Sequence, residues 1–192
     1  MTTDRYNDQD KLPRHSVVQK SSLKLFDDTE IINHLRVHPQ DISTDRIKYY
    51  IDVAIEWVQD QLGKTLLTTN RETVSYNNRF VLPYGPVLWN ASSQNKDIIK
   101  KVIYGKKELE PSEYKVRIVG DSVEIQVPFS WKERALTVQY VSGYGDRQAV
   151  PTPLKHAVMG TIEYLYNNNG NVEVLEAATA PWLQGCRTYR LF

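Results

Sequence analysis

Cysteine is nearly absent. The lone Cys186 in 192 residues has no partner for an internal disulfide, and between Gly185 and Arg187 it offers no metal-ligand spacing. A reducing cytoplasm is the expected setting of synthesis. Long apolar runs are missing as well. None nears the ~18 residues that a membrane span needs, and the opening MTTDRYNDQDKLPRHSVVQKSS has no apolar stretch behind a charged start, so no membrane partner and no export signal are expected. An excess of one charge is also lacking: 24 basic and 23 acidic side chains leave a net charge of +1, which excludes a global field drawing the chain onto nucleic acid. Any DNA contact has to be local. What the chain does have is 41% hydrophobic residues, enough to fill the core of one ordinary domain with tails.

Catalytic and ligand-binding patterns are equally scarce. Gly63-Lys-Thr65 imitates the end of a phosphate-binding loop, but Val58 stands where the earlier glycine belongs and the triplet follows a helix instead of opening one. A helix stop is the better reading. His34 and His38 are four apart, yet Pro39 frays that turn and no Glu completes an H-E-x-x-H pattern. His156 adjoins the apolar face of a helix and reads as a boundary or packing residue. Glu108, Glu110 and Glu113 cluster with Lys106 and Lys107 at a turn, where solvation accounts for them without paired-acid chemistry. No G-x-S-x-G elbow is present, and nothing around Cys186 marks a nucleophile. Neither an enzyme nor a cofactor is expected, and no catalytic or metal residue is nominated.

The period of the apolar residues divides the chain. Residues 1–27 mix both charge signs without a sustained period and read as an extended N-terminal arm. Asp28 to Arg36 has a capped start and apolar Ile31, Ile32 and Leu35, which predicts a short helix stopped before Pro39. A long helix follows from Asp45 to Leu62, capped by Ser43 and stopped by Gly63; Ile47, Ile51, Ala54, Ile55, Val58 and Leu62 form its apolar face. Its opposite face is an acidic stripe of Asp45, Asp52, Glu56 and Asp60, relieved mainly by Lys48. From 68 to 141 the period changes to two. Arg71–Tyr76, Arg79–Leu82, Ile98–Tyr104, Tyr114–Val119, Ser122–Val127 and Ala135–Val141 read as strands of a small, mostly antiparallel sheet, with Gly120-Asp121 as a two-residue hairpin turn. Thr152 as cap and Pro153 at the first helical position open another helix, whose buried face is Leu154, Ala157, Val158, Thr161, Ile162 and Leu165. Residues 171–180 suit one more short helix. The segment 181–192 is rich in Trp, Tyr, Leu, Phe and Arg and is read as a C-terminal tail.

These pieces stand in a particular order: Glu56-Trp-Val-Gln-Asp-Gln-Leu-Gly-Lys-Thr65, Phe80-Val-Leu-Pro-Tyr-Gly-Pro-Val87, the Tyr114 strand, the Gly143-Tyr-Gly145 turn, Val150-Pro-Thr-Pro-Leu154 and Tyr164-Leu-Tyr-Asn167. In that order, over residues 28–192, the chain resembles the head-tail connector (adaptor, head completion) proteins of tailed bacteriophages. The resemblance implies an α+β fold: a helical bundle from 28–62 and 152–180, with an inserted β-region at 68–141 and extended tails at both ends. It also implies a structural virion protein at the head-tail junction. Such a protein forms a ring, usually of twelve copies, under the portal, extends the channel through which double-stranded DNA passes without sequence specificity, and links the capsid to tail or neck proteins. A different neck or tail-completion protein is the alternative, and a DNA-binding module a more distant one.

Two groups of residues fit that role. Trp182, Leu183, Arg187, Tyr189, Arg190, Leu191 and Phe192 supply the aromatic and arginine anchors typical of interface hot spots, as a tail docking on the portal would require. Trp182 and Leu183 can equally cover their own domain's core. Asp45, Asp52, Glu56 and Asp60 suit a channel lining, because an acidic wall does not hold phosphates and lets DNA slide; a solvated helix face would carry the same pattern.

Overall fold

The computed structural model describes residues 14–87, 98–128 and 135–187. Those residues form an α+β fold of four helices and eight strands in two antiparallel sheets. In chain order they are β1 (Arg14–Gln19), α1 (Asp28–Leu35), α2 (Thr44–Leu62), β2 (Thr69–Ser75), β3 (Arg79–Val81), β4 (Ile99–Tyr104), β5 (Lys107–Glu108), β6 (Lys115–Val119), β7 (Ser122–Gln126), β8 (Leu136–Ser142), α3 (Thr152–Asn167) and α4 (Leu175–Arg187). They divide into two compact units. Residues 14–20 and 69–142 make a β unit, and residues 21–68 and 143–187 a helical unit.

In the helical unit the expected signals act locally. The Asp27 N–H donates to Glu30 Oε2 at 2.8 Å and starts α1. Ser43 Oγ accepts the Arg46 N–H at 3.3 Å and starts α2, which Gly63 ends in the left-handed region at φ 59°. α3 begins one residue earlier than expected: Pro151 occupies the cap position and Thr152 is already helical. The inward faces of α2 and α3 share a core with Leu25, Phe26, Ile31, Leu175, Leu183 and Cys186. Thr161 enters that core without cost because its hydroxyl donates back to the Ala157 carbonyl at 2.8 Å. Gly143 is required where the chain re-enters this unit. Its φ is +114°, and a Cβ there would lie 2.5 Å from the Leu67 carbonyl oxygen. Beside it, Tyr144 N–H donates to Leu66 O and Thr68 N–H to Gly145 O, both at 3.0 Å.

The β unit holds two sheets where one was expected, a five-stranded sheet ordered β1-β2-β8-β4-β5 and a three-stranded sheet ordered β3-β7-β6. The six predicted strands all form, within two residues of their expected ends. Gly120 takes φ 61° in the turn that pairs Val119 with Ser122, as its sequence suggested. Core side chains come from β4, β7 and β8 together with Leu82, Val87 and Leu109. Tyr140 crosses this core and its hydroxyl donates to the Pro83 carbonyl at 2.7 Å.

Parts of the segments expected as tails belong to the two units. Residues 14–19 of the expected arm are an edge strand, with Arg14 paired to Val74 and His15 to Thr73. Leu25 and Phe26 are core residues. Every side chain of β1 is exposed, so no alternation betrayed the strand. At the other end α4 runs on through Pro181 to Arg187. Residues 1–13 and 188–192 lie outside the described residues.

Candidate functional site

The first candidate surface is α2. Its amphipathic period turns Ile47, Ile51, Ala54 and Val58 inward, and the same 3.6-residue repeat brings Asp45, Asp52, Glu56 and Asp60 to one exposed side, with Tyr49 more than half exposed among them. The four carboxylates therefore form one stripe, as expected. Their exposure agrees equally with a solvated face and with a lining.

The C-terminal group divides differently. Leu175, Thr179, Leu183 and Cys186 fall on one face of α4 and are all buried. The spacing of Leu175, Leu183 and Cys186 was readable in the sequence but hidden by Pro181, which usually ends a helix; here it lies at the middle of α4, on the exposed side. Leu183 is 1% exposed and belongs to its own unit's core, which corrects its place among free docking residues. Trp182 lies over Gly160 of α3, where an added Cβ would come within 2.9 Å of the indole, and still leaves 40% of itself exposed. Trp57 Nε1–H donates to Thr179 Oγ1 at 3.1 Å, tying α2 to α4. Burial pushes the Cys186 thiol above its ordinary range, opposite to what a reactive thiolate needs. Arg187 ends the helix, and Tyr189, Arg190, Leu191 and Phe192 lie outside the described residues.

The residues set aside earlier have separate partners. His34 Nε2 lies 3.3 Å from a Glu163 carboxylate oxygen, and His38 Nδ1 accepts the Gln40 N–H at 3.3 Å. His156 is exposed. Glu113 is held below the usual carboxylate range by its hydrogen bond from Lys107 and by the Glu110 N–H. Among the described residues no group of three or more His, Cys, Asp or Glu is placed to share a metal ion, and no helix is long and apolar enough to cross a membrane. A pocket of 230 Å³ lined by Tyr114, Lys115, Gln126 and Val127 is small beside typical ligand sites of about 300–1,000 Å³.

One feature escaped the sequence reading entirely. The near-neutral total hides a division of charge between the units: the described β unit carries ten basic and six acidic side chains, a net +4, whereas the described helical unit carries eight basic and twelve acidic, a net −4. The sum over the whole chain conceals it, and only the boundaries of the units reveal it.

No family model matches the chain, and no curated protein matches it. Solved structures do. A chain in the virion of a native gene transfer agent particle superposes with a TM-score of 0.64 at 13% identity, over 88% of this chain and 94% of that one. A chain in the neck of an empty gene transfer agent particle, computed with C6 symmetry, gives 0.61 at 14% identity over the same shares. Another, in the neck of the native particle computed with C12 symmetry, gives 0.57 at 12% identity over 87% and 94%. The likeness is one of fold, spans nearly the whole of both chains, and is consistent with the connector resemblance carried by residues 28–192.

Proposed function

We propose that this chain is a structural neck protein of a tailed, phage-like particle. In that reading it is a head-tail connector subunit that assembles in twelve copies under the portal, extends the DNA channel and links the capsid to the tail. The observation that carries the reading is the shared fold with neck chains over 94% of their length. The C6 and C12 symmetries of those two reconstructions are compatible with a twelve-membered ring. A protein of this kind works by shape and interface without a catalytic step, and its place is the virion.

Within the proposal, Asp45, Asp52, Glu56 and Asp60 line the channel, and the exposed part of Trp182 with residues 187–192 docks on the portal. Leu183 acts only by holding α4 in place. Purified protein mixed with portal should co-migrate with it as a large ring, and a salt-dependent DNA shift without ring formation would favour a DNA-binding module instead. Removing residues 188–192 leaves the buried face of α4 intact, so the shortened protein should stay folded and lose portal attachment. Undiminished attachment would remove the tail's role. A ring reconstruction with the four carboxylates turned away from the lumen would overturn their assignment.

A further inference from the structure

We propose that neighbouring copies of this chain join head to tail, β6 of one copy packing against residues 172–176 of the next. The inference rests on the ring reading above and names the contact that closes the ring. On the β unit, β6 pairs with β7 and its other edge meets no strand among the described residues. Ile118 and Val119 are 52% and 40% exposed on it. Lys115 and Arg117 are exposed beside them, and neither has an ion-pair partner among the described residues. The acid across the ladder from Arg117 is Glu124, and Arg79 Nε already holds it at 2.9 Å.

The helical unit carries the counterpart. Just before α4, Val172 and Val174 are 50% and 56% exposed. Glu173 and Glu176 alternate with them, exposed and likewise without an ion-pair partner among the described residues. Alternation along the strand puts Lys115, Arg117 and Val119 on one face of β6 and Ile118 on the other, so that face offers one branched aliphatic and two cations, and residues 172–176 offer two branched aliphatics with two carboxylates.

That pattern identifies the occupant. Either patch meeting itself across a two-fold axis would bring like charges together, which opposes association. The cations on β6 therefore guard its other edge against pairing with its own copy, as charged edges do. Meeting the other patch neutralises both and buries Val119 against Val172 and Val174. Two different patches on one chain make a heterologous contact, the kind that generates a closed ring when the rotation per copy allows it. The net charges of the two units, +4 and −4, favour the same pairing at longer range.

The experiment measures self-association of the full chain by sedimentation, with far-ultraviolet circular dichroism as the control for folding. Lys115→Glu with Arg117→Glu should weaken assembly about tenfold or more, as should Glu173→Lys with Glu176→Lys. Joining all four substitutions in one chain should restore it, and Val119→Cys mixed with Val174→Cys should form a disulfide between copies. Rings formed as readily by either charge-reversal variant as by the wild type, or a quadruple variant that stays dissociated, would overturn the contact while leaving the ring reading intact. A cationic edge whose reversal abolishes only DNA retention would overturn it too. A wild-type chain that remains monomeric both alone and on the portal would overturn the ring reading itself.

Discussion

The helical unit is built from two stretches of chain more than 70 residues apart, 21–68 and 143–187, and the β unit takes the interval between them together with residues 14–20. Their cores differ in kind. The helical core is closed by faces repeating every three or four residues on α2, α3 and α4, so each helix brings its own half of the packing. The β core exists only after distant segments pair: Thr73 stands beside Val138, and Val138 beside Val102. Their charges differ in sign as well. A unit made by local periodicity can be recognised element by element, whereas one made by pairing is recognised only as a whole.

The largest test of that contrast is a cavity in each core. Ile162→Ala in α3 and Ile125→Ala in β7 both empty fully buried sites, and each should cost about 2–5 kcal/mol. Hydrogen exchange should show the first loosening α2 and α3, and the second loosening β7 with β3 and β6. Equal loss of protection through both units in either variant would merge them into one cooperative body and break the comparison.

Gly143→Ala sharpens it next. The added Cβ meets backbone at 2.5 Å in a conformation that L residues rarely adopt, and about 3 kcal/mol of stability should be lost. A thermal melt within 1 kcal/mol of the wild type would mean that the re-entry of the chain is not confined as described. Tyr140 gives the smallest effect. Burial pushes its hydroxyl from the ordinary 10 up to about 12, the nearby Tyr84 raising it further and Thr73 and Arg71 opposing. The folded chain therefore holds this proton more tightly than the unfolded one. Its contribution is complete below pH 10 and is lost as pH climbs through about 12. Tyr140→Phe should cost about 1 kcal/mol at neutral pH, because the hydrogen bond to the Pro83 carbonyl is gone, and should flatten the alkaline part of the pH-stability curve. An unchanged alkaline limb would assign that titration elsewhere.

Much of the fold was legible in advance. Ser43, Gly63 and the apolar repeat of α2 announce a helix because capping and 3.6-residue burial involve only near neighbours. The hairpin at Gly120-Asp121 could be read for the same reason. The acidic stripe on α2 followed directly from the helix period. β1 could not be read, since a strand exposed on both faces has no alternation and its partner β2 lies more than 50 residues away. Pro181 misled in the opposite sense: a strong local breaker was overridden by the burial of Leu175, Leu183 and Cys186 on one helical face.

From its residues alone, then, this chain determined where its helices start and stop, which faces they bury, and where its β segment turns. Tertiary structure decided which strands pair, that Leu183 serves its own core while Trp182 stays partly open, and that a nearly neutral chain separates into units of opposite charge. The reason is range. Capping, helix period and turn geometry act over a few bonds of backbone, but pairing, burial and net charge are properties of residues brought together from distant parts of the sequence.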